Sequence, residues 1–274
     1  MADTEHINLV ELGVGDAPAG LLLSTEAHWN QNEADWRFFL SKGTVFGLRD
    51  GRKLVATAAL LPYSSGNAWI SMVLVTANWR RRGVATRLID ACVNAAKKLG
   101  LTTWLDATPD GATVYGPLGF TPTLQLRRLR LMASEGTATK AAPSACSLDT
   151  VIARDKAAMG FDRSALLTEF SARPGSRIVS NGHATALVRD GRSARHIGPL
   201  LADRADQALA LVEAIVRSET GPWLIDAVHG RDEFLNGLTS AGWNIERPFQ
   251  RMRFGRATTT PAELPFAVAG PEFG

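Results

Sequence analysis

Trp69-Ile70-Ser71-Met72-Val73-Leu74-Val75, followed by Trp79-Arg80-Arg81-Arg82-Gly83-Val84-Ala85, decides how this chain is read. The first run is almost wholly apolar and predicts a buried strand. Past the turn, Leu88, Cys92 and Ala96 fall on one side at helical spacing, with Ile89 and Val93 beside them. A helix is therefore expected over 82–99, ended by Gly100. Strand, tight basic turn and helix, in that order, make a place for an anion. Gly83 and Ala85 leave room for a ligand to reach backbone N–H groups at the helix start. The helix dipole and the arginines both favour negative charge there.

The turn is not a P-loop, because no Gly-Lys-Ser/Thr follows, and it lacks the three spaced glycines of the dinucleotide pattern. The spacing Arg80-x-x-Gly83-x-Ala85 resembles the acetyl-CoA signature of the GCN5-related N-acetyltransferases, Arg/Gln-x-x-Gly-x-Gly/Ala. Val75-Thr76-Ala77-Asn78-Trp79 resembles that family's strand exit. Val114-Tyr115-Gly116-Pro117-Leu118-Gly119-Phe120 resembles its second conserved stretch. The bland alternative is a solvated basic turn with no ligand, and the small residues between an apolar strand and a helix speak against it.

The resemblance implies acetyl-CoA as cofactor. Val73, Leu74 and Val75 would offer backbone to the pantetheine arm. The backbone of Arg80, Arg81, Arg82, Gly83, Val84, Ala85 and Thr86 would clamp the diphosphate, helped by the side chains of Arg80, Arg81 and Arg87, with Arg82 alternatively facing solvent. Tyr115 falls where the family often keeps a tyrosine near the thiol, which implies a general acid in contact with the cofactor. A phenol near pKa 10 can donate to a thiolate; the alternative is a tyrosine packed under the cofactor. The general base stays open among Glu26, His28, Asp35 and Asp106, with Glu26 and Asp106 carried beside Tyr115 as catalytic candidates.

The stretch His28-Trp29-Asn30-Gln31-Asn32-Glu33-Ala34-Asp35-Trp36 reads either as the wall of an acceptor pocket or as an ordinary capped helix. In the acetyltransferase fold the loop between the first two helices shapes the acceptor pocket. His28, Trp29, Asn30 and Asp35 are accordingly expected there, together with Asp226 from the second half.

Length and composition bound the rest. The 274 residues are 45% hydrophobic and 21% charged, enough for one large domain or two small ones with real cores. The formal charge of +3 gives no general case for nucleic-acid binding; the basic excess is local, at Arg80, Arg81, Arg82, Arg87, Lys97 and Lys98. Two cysteines, Cys92 and Cys146, imply no disulfide scaffold and a reducing, cytoplasmic setting. No signal peptide, membrane span or metal-ligand spacing is read.

In order, the first half reads as a weak strand at 7–12, helices at 18–26 and from about 32, a hairpin across Asp50-Gly51, the strand and helix above, a strand at 103–107, a helix at 112–118 and a strand at 123–131. Residues 133–147 are rich in Ala, Ser, Thr, Gly and Pro and read as a linker or strap. The second half repeats the order. Arg189-Asp190-Gly191-Arg192 echoes Arg49-Asp50-Gly51-Arg52, and Leu224-Ile225-Asp226-Ala227 echoes Trp104-Leu105-Asp106-Ala107. The echo fails at Ala202-Asp203-Arg204-Ala205-Asp206, where two aspartates oppose a phosphate and Asp203 reads as an N-cap.

The expectation is an α/β (α+β) chain of two tandem acetyltransferase-type domains, each a mixed, mostly antiparallel sheet flanked by helices. The first spans 1–132 and holds the acyl-CoA site. The linker spans 133–147, a degenerate second domain without the CoA motif 148–256, and a tail 257–274. The function expected is acetyl transfer from acetyl-CoA to the amine of a small molecule, by direct attack in a ternary complex, in a monomer or homodimer. The alternatives are a CoA-sensing or regulatory module and an enzyme acting on a protein amine.

Overall fold

In the computed structural model, which describes residues 7–132 and 143–274, β1 (Asn8–Glu11) pairs antiparallel with β2 (Thr44–Asp50). The Asp50-Gly51 turn then closes a hairpin between β2 and β3 (Lys53–Pro62). Next come β4 (Asn67–Val75) and β5 (Thr102–Ala107), giving the order β1-β2-β3-β4-β5 in the first compact unit. Of the described residues this unit holds 7–105, Arg253–Thr258 and Phe273. Its helices are α1 (Ala17–Glu26), α2 (Glu33–Lys42) and α3 (Val84–Lys98). On α3 the buried residues are Val84, Leu88, Ile89, Cys92, Val93 and Ala96, which is the apolar stripe of the sequence. Burial pushes the Cys92 thiol far up, so it packs as an inert core residue.

The second unit holds Asp106–Met252, Thr259–Glu272 and Gly274. It contains α4 (Pro109–Tyr115), β6 (Thr121–Leu131), β7 (Ser144–Ala145), α5 (Leu148–Met159), α6 (Ser164–Ala172), β8 (Arg177–Ser180), β9 (Ala184–Asp190), β10 (Arg195–Ala202), α7 (Ala205–Ser218), β11 (Trp223–Val228), α8 (Asp232–Ser240) and the greater part of β12 (Asn244–Phe254). Strand order is β12-β6-β11-β10-β9-β8-β7. In the first unit β4 and β5 pair in parallel, while β1–β2, β2–β3 and β3–β4 are antiparallel. In the second β10 and β11 pair in parallel, while β11–β6, β10–β9, β8–β9 and β7–β8 are antiparallel. Leu211, Ile215, Trp223, Ile225, Phe234 and Leu238 build the core under α7 and α8. The expected class therefore holds: a mixed, mostly antiparallel sheet with flanking helices.

The structure departs from the expected boundaries in three places. Contacts do not close the first unit at residue 132. Instead β6 pairs antiparallel with β11, Leu131 opposite Trp223 through Leu126 opposite Val228. Of the linker, 133–142 lie outside the described residues. Ser144 and Ala145 pair with Ser180 and Val179, and the Ser147 hydroxyl caps α5 by accepting from Thr150 N–H. The expected tail is only partly a tail: residues 265–274 are buried throughout. One helix is also displaced. α4 starts at Pro109 rather than near Ala112, because Thr108 Oγ1 accepts from Gly111 N–H at 3.2 Å and proline suits a first helical turn.

Candidate functional site

The decisive local event in the first unit is a bulge. The register of β3 against β4 runs Ala59–Ser71 and then Thr57–Leu74, so β4 carries one extra residue opposite Ala58. Met72 takes up the excess in left-handed backbone, φ 52°, while its side chain stays buried. Thr57 Oγ1 donates to Met72 O at 2.8 Å and holds the distortion in place. On the other edge, β5 pairs in parallel with β4 at Asn67, Ala68 and Trp69. The bulge follows this short ladder and turns β4 aside. Val73 and Val75 become half-exposed on either side of buried Leu74. A strand edge with unladdered backbone groups is what an amide-bearing arm needs to dock as an extra strand.

That edge leads into the basic turn. Arg81 (φ 59°) and Gly83 (φ 74°) both sit in left-handed backbone, and Gly83 is the N-cap of α3 with no side-chain cap. A Cβ at Gly83 would meet open space, so the glycine is needed for its backbone and not for room. The first α3 amides therefore point out of the helix end, beside the exposed Arg81, Arg82 and Arg87 and the half-buried Trp79. Arg80 Nε donates to Val75 O at 3.0 Å, and Arg87 Nη1 donates to Ile7 O at 3.1 Å. Arg82 lies over the Trp79 ring at 5.2 Å. Val84 is buried, whereas Ala85 and Thr86 are half-exposed.

The helical hairpin of this unit shows the capped helix of the double reading of 28–36. Asp35 is a cap: its Oδ2 accepts from Asn32 N–H (3.0 Å) and its own N–H donates to Asn32 Oδ1 (3.1 Å). It is fully buried in that role. Glu26 is an anchor. Its Oε1 accepts from Ala77 N–H at 2.9 Å and ties the end of α1 to the turn after β4. His28 has left-handed backbone, φ 57°, and Asn30 is buried. Gln31 is 3% exposed, and its Oε1 has no partner among the described residues. Ser71 Oγ and Thr103 Oγ1, on β4 and β5, are likewise buried without partners. The amino-acid sequence carries no mark of an unsatisfied atom, so these three groups emerge only from the fold.

The remaining candidates lie in the second unit. Tyr115 ends α4 with 8% exposure, its ring 6.0 Å from that of Phe120. Asp106 is not a free acid or base. Both its oxygens accept from Arg251 at 2.8 Å, and its side chain has no exposure. Asp226, expected against an acceptor, is equally committed. Arg128 donates to both its oxygens at 2.8 Å, and His196 Nε2 lies 3.0 Å from Oδ2. The two pairs are counterparts: Arg128 on β6 reaches the aspartate of the second half, and Arg251 on β12 reaches that of the first. Their titration differs. Burial pushes Asp106 up against the pull of Arg251, with Asp226 and Glu272 adding to the rise. Burial would push Asp226 up as well, but Arg128 and the hydrogen bond to His196 hold it well below the usual carboxylate range. Burial also holds the His196 imidazole down, with the Asp226 bond opposing. Its Nδ1 has no partner among the described residues.

At the turn matching the basic one, α7 is preceded by Asp203 and Arg204. Asp203 pairs with Arg154 and is not the cap; Arg204 is the N-cap and its guanidinium is tied to Asp206. Among the described residues no group of three or more His, Cys, Asp and Glu could hold a metal ion, and no helix is long and apolar enough to cross a membrane.

Comparison with known proteins agrees with this geometry. Residues 17–119 match the model of the acetyltransferase (GNAT) family, and residues 151–267 match that of an acetyltransferase (GNAT) domain. A Bacillus subtilis protein called uncharacterized N-acetyltransferase YitH is 23% identical over 239 residues, covering 82% of this chain and 84% of its own. A Pyrococcus horikoshii protein described as a candidate acetyltransferase has a similar structure (TM-score 0.82, 18% identity, 99% and 97% of the two chains). So has a tandem GNAT protein from the clavulanic acid biosynthesis pathway (TM-score 0.62, 16% identity, 92% and 99%). With a match in each half, an opened β4 edge and a basic turn at the start of α3, the chain belongs to the GCN5-related N-acetyltransferase family and carries two such domains in tandem.

Proposed function

We propose that this chain transfers an acetyl group from acetyl-CoA to the amine of a small molecule, by direct attack within a ternary complex in the cytoplasm. The observation that carries the proposal is the continuity, within one unit, of the bulged β4 edge with the uncapped, arginine-rich start of α3. Val73, Leu74 and Val75 would hold the pantetheine arm through backbone groups, and the amides of 82–86 with Arg80, Arg81 and Arg87 would hold the diphosphate. When bound, acetyl-CoA supplies an activated thioester carbonyl.

Tyr115 would donate its phenol proton to the sulfur that acetyl-CoA gives up when its acetyl group passes to the amine. The proton lost by the amine passes through solvent and restores the phenol. A phenol can do this because its ordinary pKa, near 10, keeps it protonated at neutral pH and ready to donate. Asp106 is the buried partner of Arg251, and Glu26 would support the site by fixing the turn after β4. Gln31 Oε1, buried and unpaired among the described residues, is the group on the helical hairpin suited to accept from an amine.

Titration calorimetry with acetyl-CoA, followed by a thiol-release screen against pooled amines, amino acids and aminoglycosides, tests this. Binding with turnover of at least one small amine is the expected result. Binding without turnover of any amine would favour a sensing module, and the absence of binding would sink the cofactor assignment.

A further inference from the structure

The second unit contains its own strand opening, and that opening is filled. β10 pairs in parallel with β11 at Arg195–Trp223 and His196–Leu224. Its register against β9 then shifts between Ile197 and Leu200. This repeats the arrangement that turns β4 away from β5. Here, however, residues 266–268 run through the gap. Ala267 bridges antiparallel to both Leu200 of β10 and Ala227 of β11.

Backbone hydrogen bonds go to both sides. Phe266 N–H donates to Leu200 O and Leu200 N–H to Ala267 O, each at 2.9 Å. Val228 N–H donates to Phe266 O and Val268 N–H to Asp226 O, each at 3.0 Å. Phe266 and Ala267 belong to the same core as Leu211 and Trp223. The gap is fitted to its occupant: a Cβ on Gly198 would stand 2.0 Å from Val268 O. Two buried arginines hold the rest of the segment. Arg189 donates to Ala269 O at 3.1 Å and pairs with Glu272, while Arg163, itself fixed by Asp155, donates to Gly274 O.

We propose that the opening between β10 and β11 is a peptide slot whose resident ligand is the chain's own segment 266–268. This segment lies as an inserted strand where an acyl-CoA arm would otherwise enter, so the chain takes one cofactor and not two. Recognition is by main-chain ladder on both edges, with small residues where the backbones approach. The acidic start of α7 disfavours a second cofactor from the phosphate end as well. The slot itself depends only on the hydrogen bonds above; its likeness to a cofactor channel rests on the function proposed for the first unit.

Hydrogen exchange on the full chain is the first test. The amides of Phe266 and Val268 should be as protected as those of β10 and β11; exchange at the rate of an unstructured peptide would overturn the proposal. The second test removes residues 265–274 and adds them back as a synthetic peptide. The shortened chain should melt lower and regain its melting temperature with the peptide, but not with a peptide carrying Ala267→Asp. An unchanged melting point with no peptide binding would refute the slot. If the shortened chain does not fold, Gly198→Val in the full chain serves instead: it should make 265–274 protease-sensitive, and continued resistance would count against the fit. Calorimetry of the full chain should find one acetyl-CoA site. Two sites would overturn the single-cofactor claim, whereas none would undo only the reading of the first unit.

Discussion

The turn ahead of α3 and the turn ahead of α7 stand at the same place in two copies of one strand–turn–helix, and they differ in charge. The first presents Arg80, Arg81, Arg82 and Arg87 around a left-handed Gly83. The second offers Asp203 and Asp206, with its one arginine there, Arg204, already paired to Asp206. Their helices are alike: both bury an apolar stripe, Leu88 to Ala96 in one and Ala208 to Ile215 in the other. Core burial keeps a fold regardless of ligand, at about 25 cal/mol per Å² of apolar surface. The pair of strand openings teaches the same lesson, one with an unladdered edge and the other occupied by residues 266–268.

The comparison can be broken most forcefully at the two aspartates. Asp226→Ala leaves Arg128 buried without its partner, which costs about 3–5 kcal/mol. A melting-temperature fall of about 10 °C is expected for a protein of this size. Asp106→Ala should cost a similar amount by stranding Arg251, and its turnover per folded molecule should stay close to that of the parent chain. A large loss of turnover with no loss of stability would instead make Asp106 a catalytic group.

Next in size is the first turn. Gly83→Asp puts a side chain and a negative charge into left-handed backbone at the proposed diphosphate site. Acetyl-CoA affinity should fall about 100-fold, roughly 2.7 kcal/mol, by calorimetry. The matching change before α7, Asp203→Gly, should create no measurable acetyl-CoA affinity, since the strand opening behind it is full.

A smaller effect follows from His196. Burial holds its imidazole below the ordinary value. The unfolded chain therefore takes up a proton near pH 6.5 that the folded chain refuses. The contribution to stability is fully present above that pH and is lost as pH falls toward the folded value, by up to about 1.4 kcal/mol per pH unit. Denaturant titrations across the range from neutral to mildly acidic pH should show this slope, and His196→Gln should flatten it. Asp226, held low, keeps its own contribution until stronger acid. An unchanged slope in the variant would assign the loss to other groups. Smallest is Arg82→Ala. Its side chain is exposed over Trp79, so acetyl-CoA affinity should change by about 2- to 3-fold at most, and less at high salt.

Much of the fold was legible because it rests on local chemistry. Asp50-Gly51 demands a hairpin, and the stripe on α3 demands a helix with one buried face. The basic turn before α3 was legible for the same reason, since its glycine, arginines and helix start are adjacent in sequence. Three things were not. Met72 carries no signal for left-handed backbone, because the bulge is imposed by pairing with Thr57 and Ala59 on the preceding strand. The proline-spaced end reads as a tail, yet its alanines and Val268 fit a gap formed by strands far upstream. The aspartates read as candidate acids or substrate ligands because their arginine partners, Arg251 and Arg128, are 145 and 98 positions away.

The pairing of β6 with β11 has a consequence for how such a chain can be made. With β6 laddered to β11, each half's buried aspartate depends on an arginine that the other half supplies. A split placed in 133–142 should yield two fragments that are insoluble when expressed apart and assemble when expressed together. Cut there, each fragment would hold a buried charge whose partner the other fragment carries.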